Sequence, residues 1–376
     1  MKKVVIASDS FKGSLSSIEV AEYAGYGVHK VFPDCEVIKI PVADGGEGTI
    51  QTLVEAMNGK IIQCRVHDPL MQPITAEYGI LGDRQTAVIE MATASGLPLV
   101  PIEKRNPMQT TTYGTGELIK DALFRGCRKF LIGIGGSATN DGGTGMLQAL
   151  GFRFLDKEKK ELGKGGQQLI HIHSIDHSHK LSELNDAVFT IACDVNNPFS
   201  GTNGAALVYA RQKGADEQMI FELDKGLKHF AQVIHEKEQK NIDPIPGAGA
   251  AGGLGGGFLA FLNATLKPGI EMVLEHLHFE ELIQGADLII TGEGKLDHQT
   301  AMGKAPAGVL KAAQKQQIPV IAIGGSIEAT DILNKLGFLA VFSIQSGPVT
   351  SELAMNKLFA CQNITRTVEQ ILRVMR

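Results

Sequence analysis

Residues 129–151 read KFLIGIGGSATNDGGTGMLQALG, and the fold class follows from how that passage changes its period. Phe130 to Ile134 is a short apolar run, Gly135 to Gly143 mixes glycines with small polar residues, and Met146, Leu147 and Leu150 resume helical spacing. The order predicts a strand, a glycine-rich turn and a helix start. Glycines there admit positive φ and bring bare N–H groups close to a ligand, while the positive end of the following helix favours an anion. The expected guest is a phosphate. A plain turn would also use glycines, but it would not need Ser137, Thr139, Asn140 and Asp141 packed among them.

Working outward, the same strand, loop and helix pattern recurs at both ends of the chain. Val4 to Ala7 is a compact apolar run followed by SDSFKGSLSS, and Ser16 with Glu19 forms a capping-box match for the helix carrying Val20, Ala21, Ala24, Val28 and Val31. Val37 to Val42 leads into Asp44, Gly45, Gly46, Glu47 and Gly48, then into a helix from Ile50 to Met57. Strands are expected again at Ala286 to Thr291, Pro319 to Ile323 and Leu339 to Ile344, with closing helices over 351–374. In a parallel sheet such loops emerge at the carboxyl edge, where ligands bind.

The middle of the chain breaks this pattern. Residues 74–92 hold two alternating runs around Gly82 and Asp83, a hairpin signal, and Val188 to Cys193 is a buried strand running into Asp194, Asn196 and Asn197. A long amphipathic stripe runs from Met219 to Ile234. The expected fold is α/β, with a Rossmann-like doubly wound parallel sheet domain that is discontinuous, over 1–66 and 284–376. A mixed α/β domain is inserted over 67–283.

Composition narrows the function classes. The 376 residues exceed what one core usually serves, and 44 glycines are well above the ordinary share of about 7% without any repeat period. A net charge of −5 with no basic stripe argues against nucleic acid and acidic membranes as partners. Five separated cysteines without a CxxC pair fit a reducing, cytoplasmic setting, and no apolar run reaches the ~18 residues of a membrane helix.

Several strand-end loops share one vocabulary of small residues, glycines, carboxylates and lysines. They are Ser8, Asp9, Lys12 and Gly13; Asp44 and Glu47; Ser137 to Gly143; Asp194, Asn196 and Asn197; and Glu293, Lys295, Asp297 and Lys304. Phosphoryl transfer from a nucleotide needs that mixture, because its catalysis is chiefly positioning and charge stabilisation. Backbone N–H groups and lysines hold phosphates, carboxylates hold Mg²⁺ through water, and one carboxylate takes the proton of the attacking hydroxyl.

The main rival is a nicotinamide-dependent oxidoreductase acting on a small hydroxy acid, since Gly133, Gly135 and Ala138 fit GxGxxA and Gly247, Gly249 and Gly252 fit GxGxxG. The second match does not follow a strand, and the first lacks a strand-end acid roughly 20 residues on. Gly303 and Lys304 are followed by Ala305, so there is no Walker A. His171, His173, His177 and His179 cluster without a completing ligand set and read as exposed strand and turn positions.

Taken together, ASDSFKGSLSS, PVADGGEGT, GIGGSATNDGGTGMLQALG, ACDVNNP, GAGAAGGLGGG and TGEGKLDHQTAMGKAP closely resemble the bacterial type-1 glycerate kinases, in order and across essentially the whole chain. The resemblance implies ATP-dependent phosphorylation of D-glycerate with Mg²⁺, typically giving 2-phosphoglycerate, in a cleft between two α/β domains. On that footing Lys12 is expected to meet the substrate carboxylate, and Asp194, or failing it Asp44, to act as base. Gly135, Gly136, Ser137, Thr139, Asn140, Gly142 and Gly143 are expected to cradle phosphates, with Asp141 as a magnesium ligand. Glu293, Lys295 and Asp297 are expected to serve the nucleotide, the transferring phosphoryl group and the metal respectively.

Overall fold

The computed structural model describes residues 1–46 and 48–376, so Glu47, expected in the loop with Asp44, lies outside the described residues. The chain divides into two compact α/β units. Met1–Asp44, Glu55–Met57 and Pro268–Arg376 form the first, and Gly45–Val54 with Asn58–Lys267 form the second. Strands are numbered in chain order.

The first unit holds β1 (Lys3–Ser8), β2 (Glu36–Pro41), β11 (Leu288–Leu296), β12 (Val320–Ile327) and β13 (Ala340–Ser343), all parallel, in the order β13-β12-β11-β1-β2. Strand alternation decides which side chains meet which helices. Val4, Ile6, Leu288, Ile290, Ile321 and Ile323 pack with the helices Ser17–Val31 and Lys357–Val374 on one face. The alternate residues Val5, Ala7 and Ile289 are equally buried, and the helix Ala305–Gln314 packs against β11 and β1. Each large apolar side chain contributes about 1.5–3 kcal/mol by leaving water. The expected capping box is present, with Ser16 Oγ accepting from Glu19 N–H and Glu19 Oε2 accepting from Ser16 N–H. Gly27 lets the two helices touch, because a Cβ there would stand 2.6 Å from the Thr365 carbonyl oxygen.

The chain leaves β1 toward β2 on one side, and leaves β11 toward β12 on the other. The order therefore reverses between β1 and β11, and ligands of open parallel sheets bind at the carboxyl end of such a reversal. Strand β11 also runs farther than expected, to Leu296 and not Thr291. Glu293 and Lys295 pair with Gly324 and Ser326 of β12, so both sit on a strand and not in a loop.

The second unit holds β3 (Lys60–His67), β4 (Pro73–Ile80), β5 (Thr86–Glu90), β6 (Lys129–Gly133), β9 (Val188–Ala192) and β10 (Thr265–Lys267) in a mixed sheet ordered β10-β9-β6-β5-β4-β3. A separate antiparallel pair is made by β7 (Arg153–Leu155) and β8 (Ser174–Asp176). The hairpin around Gly82 and Asp83 joins β4 to β5, and Asp83 closes it by accepting from Gln85 and Thr86 N–H groups, each at 2.9 Å. The helix Glu217–Glu238 buries Ile220, Leu223, Leu227, Phe230, Val233 and Ile234, as its stripe predicts.

The borders expected at 66/67 and 283/284 differ from this division. Strand β3 pairs with β4 from Lys60 to His67, so residues 60–66 belong to the mixed sheet. Helices Gly269–His276 and Phe279–Leu282 pack on Ala305–Gln314, which carries 268–283 into the first unit. Gly45–Val54 joins the second unit through contacts such as Ile50 N–H to Glu90 Oε1 at 2.9 Å. Among the described residues no helix is long and apolar enough to cross a membrane.

Candidate active site

At the β1/β11 reversal the first unit carries a cavity of about 430 Å³ whose lining includes Asp9, Lys12, Asp44, Glu293, Lys295 and Lys304, with Phe11, Ile344 and Met355 among its apolar parts. Asp9 follows the last residue of β1, and its N–H donates to the Gly292 carbonyl at 3.0 Å, which ties the loop to β11. The side chain is 7% exposed and accepts from Ser10 N–H at 2.6 Å. Its pKa is pushed up to about 7, first by burial and then by the Asp44 charge, with Glu293 adding to them and the Ser10 N–H and Lys12 opposing them. A carboxyl group that titrates near neutrality is what a general base for a hydroxyl requires.

Glu293 faces the same cavity from β11. Its Oε1 accepts the Thr300 hydroxyl at 2.5 Å, and its Oε2 lies 3.7 Å from Lys304 Nζ. Burial raises its proton affinity, while the Thr300 hydrogen bond and Lys304 pull it back. Lys304 is thus placed on an acid without any Walker A loop, immediately before the helix Ala305–Gln314. Lys295 is held 2.8 Å from Glu328 and 3.8 Å from Asp297. Asp297 spends one oxygen on Gln299 N–H at 2.8 Å and caps the helix His298–Ala301. Among the described residues no three His, Cys, Asp or Glu side chains converge into a metal set.

The expected phosphate loop lies in the second unit, and the structure divides it. Gly135 and Gly136 are exposed, whereas Ser137 to Gly143 are buried. Asp141 is fully buried and accepts from the N–H groups of Thr112, Gly143 and Gly145 at 2.8, 3.2 and 3.2 Å, and from the Thr111 and Thr112 hydroxyls. Burial raises its proton affinity against those donors. The start of the helix Thr144–Ala149, the place expected for a phosphate, is therefore already filled by the chain's own carboxylate, and Asp141 presents no open face to a metal.

Gly142 and Gly143 are glycines for internal reasons. A Cβ at Gly142 would meet Phe230 at 3.1 Å, and one at Gly143 would meet Leu254 at 3.3 Å. The glycine-rich 247–257 stretch serves the same packing: Gly142 N–H donates to Gly252 O at 3.0 Å, and a Cβ on Gly252 would sit 2.0 Å from the Thr139 carbonyl oxygen. Lys213, 2% exposed, closes the other side by donating from Nζ to Ser137 Oγ at 2.7 Å and to the Thr139 carbonyl at 2.6 Å. Burial lowers its pKa to about 7 against the pull of Asp141. The Thr139 hydroxyl and both amide atoms of Asn140 are buried without a partner among the described residues.

Asp194 is exposed just beyond the carboxyl end of β9, and Asn197 is committed to Tyr209 at 2.6 Å and to the Asn203 carbonyl at 2.8 Å. Of the expected site residues, Lys12, Asp44, Glu293 and Lys295 therefore share the first-unit cavity, with Asp297 next to Lys295. Asp194 and the 135–143 loop belong to the second unit. Asp9 and Lys304 stand in the quoted loops but carry no expected role; Asp9 is marked only by burial beside other charges, and Lys304 by its place 3.7 Å from Glu293. Lys213 has no local signal in the sequence.

The dinucleotide motifs fail on geometry. After β6 no helix begins until Thr144, and a Cβ on Gly133 would stand 2.2 Å from the Gly45 carbonyl oxygen, so that glycine serves backbone packing. An oxidoreductase thus loses its cofactor signature, and comparison with known proteins points the other way. The sequence model of the glycerate kinase family matches residues 4–376. A glycerate kinase of Bacillus cereus is 50% identical over 373 residues, 99% of this chain and 97% of that protein. The glycerate 2-kinase of Escherichia coli is 47% identical over 370 residues, covering 98% and 97% of the two chains. The crystal structure of a glycerate kinase 2 candidate from Salmonella typhimurium LT2 is 44% identical, superposes with a TM-score of 0.92, and covers 100% of this chain and 98% of its own. With strand-end acids and lysines at the sheet reversal and a likeness that runs from end to end, the chain belongs to the glycerate kinase family.

Proposed function

We propose that the chain transfers the γ-phosphoryl group of ATP to D-glycerate, releasing ADP. Glycerate kinase relatives of nearly full coverage support the substrate, and the name of the E. coli relative favours the 2-hydroxyl and hence 2-phosphoglycerate. The observation that carries the chemistry is Asp9, a nearly buried carboxylate titrating at about 7 beside lysines that suit anions. The substrate oxygen forms a bond to the γ-phosphorus, the bond from that phosphorus to the bridging oxygen breaks, and the hydroxyl proton passes to Asp9. Asp9 is preferred to Asp194 as the base because its neighbours tune it to the working pH. Lys12 and Lys304 would meet the carboxylate and phosphate oxygens, and Lys295 would join them on the transferring group. In the second unit Gly135, Gly136 and Ser137 are the loop positions suited to an anion.

Mg²⁺ fits the first-unit cavity, because the Asp44 charge raises the proton affinity of both Asp9 and Glu293 and a divalent ion would relieve that repulsion. It would be held by Asp44 and Glu293 and mostly by phosphate oxygens and water, as Mg²⁺ prefers. When bound it would neutralise charge on the phosphates. The first unit is read as a Rossmann-like domain with the second inserted into it, in a cytoplasmic enzyme. The test is ADP release with Mg·ATP and D-glycerate, with the product position read by phosphorus NMR. Glycerate-dependent turnover supports the assignment, and its absence overturns it.

A further inference from the structure

A buried ammonium is expensive, and a turn can be tied to a loop at lower cost by an apolar side chain. Lys213 nevertheless reaches across the second unit to two points of the glycine loop, Ser137 Oγ at 2.7 Å and the Thr139 carbonyl at 2.6 Å, from a turn that ends on Gly214 at φ +96°. A Leu or Met would fill the space. Neither could donate a hydrogen bond to the loop.

A lysine only donates, so Ser137 Oγ must accept from it, and the hydroxyl keeps its own proton for another acceptor. Among the described residues that proton has none. Ser137 is 8% exposed and directly follows Gly135 and Gly136, whose N–H groups also lack an acceptor among the described residues. A Cβ on Gly135 would meet nothing within 4 Å, so the space beside it is open. Two further side chains of the loop, Thr139 and Asn140, are buried with polar atoms that have no partner among the described residues. Without Lys213 the Ser137 hydroxyl would be free to turn and to accept, and would repel an oxyanion as often as bind one.

We propose that Lys213 is a positioning residue that sets the Ser137 hydroxyl as a hydrogen-bond donor, so that Ser137 with the Gly135 and Gly136 N–H groups binds an anionic oxygen of the reactants. The inference rests on the kinase assignment and extends it to a side chain that touches no substrate. The ligand class is a phosphoryl or carboxylate oxygen, because the three groups offered to it are all donors.

The test compares S137A, S137T, K213M and the double variant S137A/K213M by ADP release with Mg·ATP and D-glycerate, each normalised to folded protein by circular dichroism. Loss of a donor to a developing charge lowers kcat by about 10²–10³. S137A and K213M are expected to fall by similar factors within that range, S137T to keep most of the activity, and the double variant to be no slower than the slower single one. Residues that act as a unit are non-additive in this way, whereas a purely structural lysine would lower stability and leave the kcat of folded enzyme intact. A folded K213M with wild-type kcat, or a double variant whose losses multiply, overturns the proposal. Where K213M does not fold, an S137A enzyme of unchanged kcat overturns it as well. Silence of the wild-type chain toward glycerate would instead overturn the kinase assignment itself.

Discussion

Thr300 donates its hydroxyl proton to Glu293 Oε1 at 2.5 Å, and the threonine oxygen in turn accepts the backbone N–H of Asp297 at 2.9 Å. One side chain thus closes the capping box of the helix His298–Ala301 and restrains a buried acid of the cavity. T300V removes both bonds. We expect a loss of about 0.5–2 kcal/mol, as for other helix caps, and a Glu293 that holds its proton more firmly. T300S should retain both properties. Thermal melts of the two variants check this, and equal Tm values would count against the cap.

Asp9 is an acid whose folded pKa lies above its unfolded value of 3.8, at about 7. The folded state therefore binds more protons than the unfolded state between those values, and the group's contribution to stability falls as pH rises through that window. Activity runs the other way, because the base must be unprotonated. The acid limb of kcat/KM should fall near pH 7, and D44N, by removing a negative neighbour, should move it to lower pH. A limb that stays in place in D44N would detach Asp9 from the proton transfer.

Asp141 is expected to answer to substitution as a structural group. D141A leaves Lys213 without its nearby counter-charge and frees three buried N–H groups, so stability should drop by about 3–5 kcal/mol. Urea unfolding reads this directly. A well-folded D141A that needed far more Mg²⁺ for activity would restore Asp141 as a metal ligand.

Two glycines of like sequence context should part company. G252A forces a side chain onto a residue at φ +69° with its Cβ 2.0 Å from the Thr139 carbonyl oxygen, so it should cost more than about 1 kcal/mol and lower the folded yield. G135A meets nothing within 4 Å and should melt like the wild type while raising KM for an anionic substrate. Calorimetry and steady-state kinetics on the pair separate the roles, and equal melting of the two would remove the distinction.

Local pattern made much of the scaffold legible. The apolar run around Val4 to Ala7, the Ser16 and Glu19 cap, the hairpin at Gly82 and Asp83 and the stripe from Met219 to Ile234 all act between neighbours along the chain, so spacing alone reveals them. The extent of β11 was not legible in this way. GEGKL carries glycines and charges that disfavour a strand, and only the pairing of Glu293 and Lys295 with β12 keeps it extended.

By itself the sequence determined the α/β class, the order of the polar loops at strand ends and membership of the glycerate kinase family, since each is written in contiguous residues. Tertiary structure alone decided that Asp141 is enclosed, that Asp9 titrates near neutrality beside Asp44 and Glu293, and that Lys213 reaches Ser137 across 76 positions. The physical reason is range. Periodicity and capping depend on residues a few places apart, whereas burial and proton affinity sum over every charge and dipole that folding brings near, and no local window of sequence contains those neighbours.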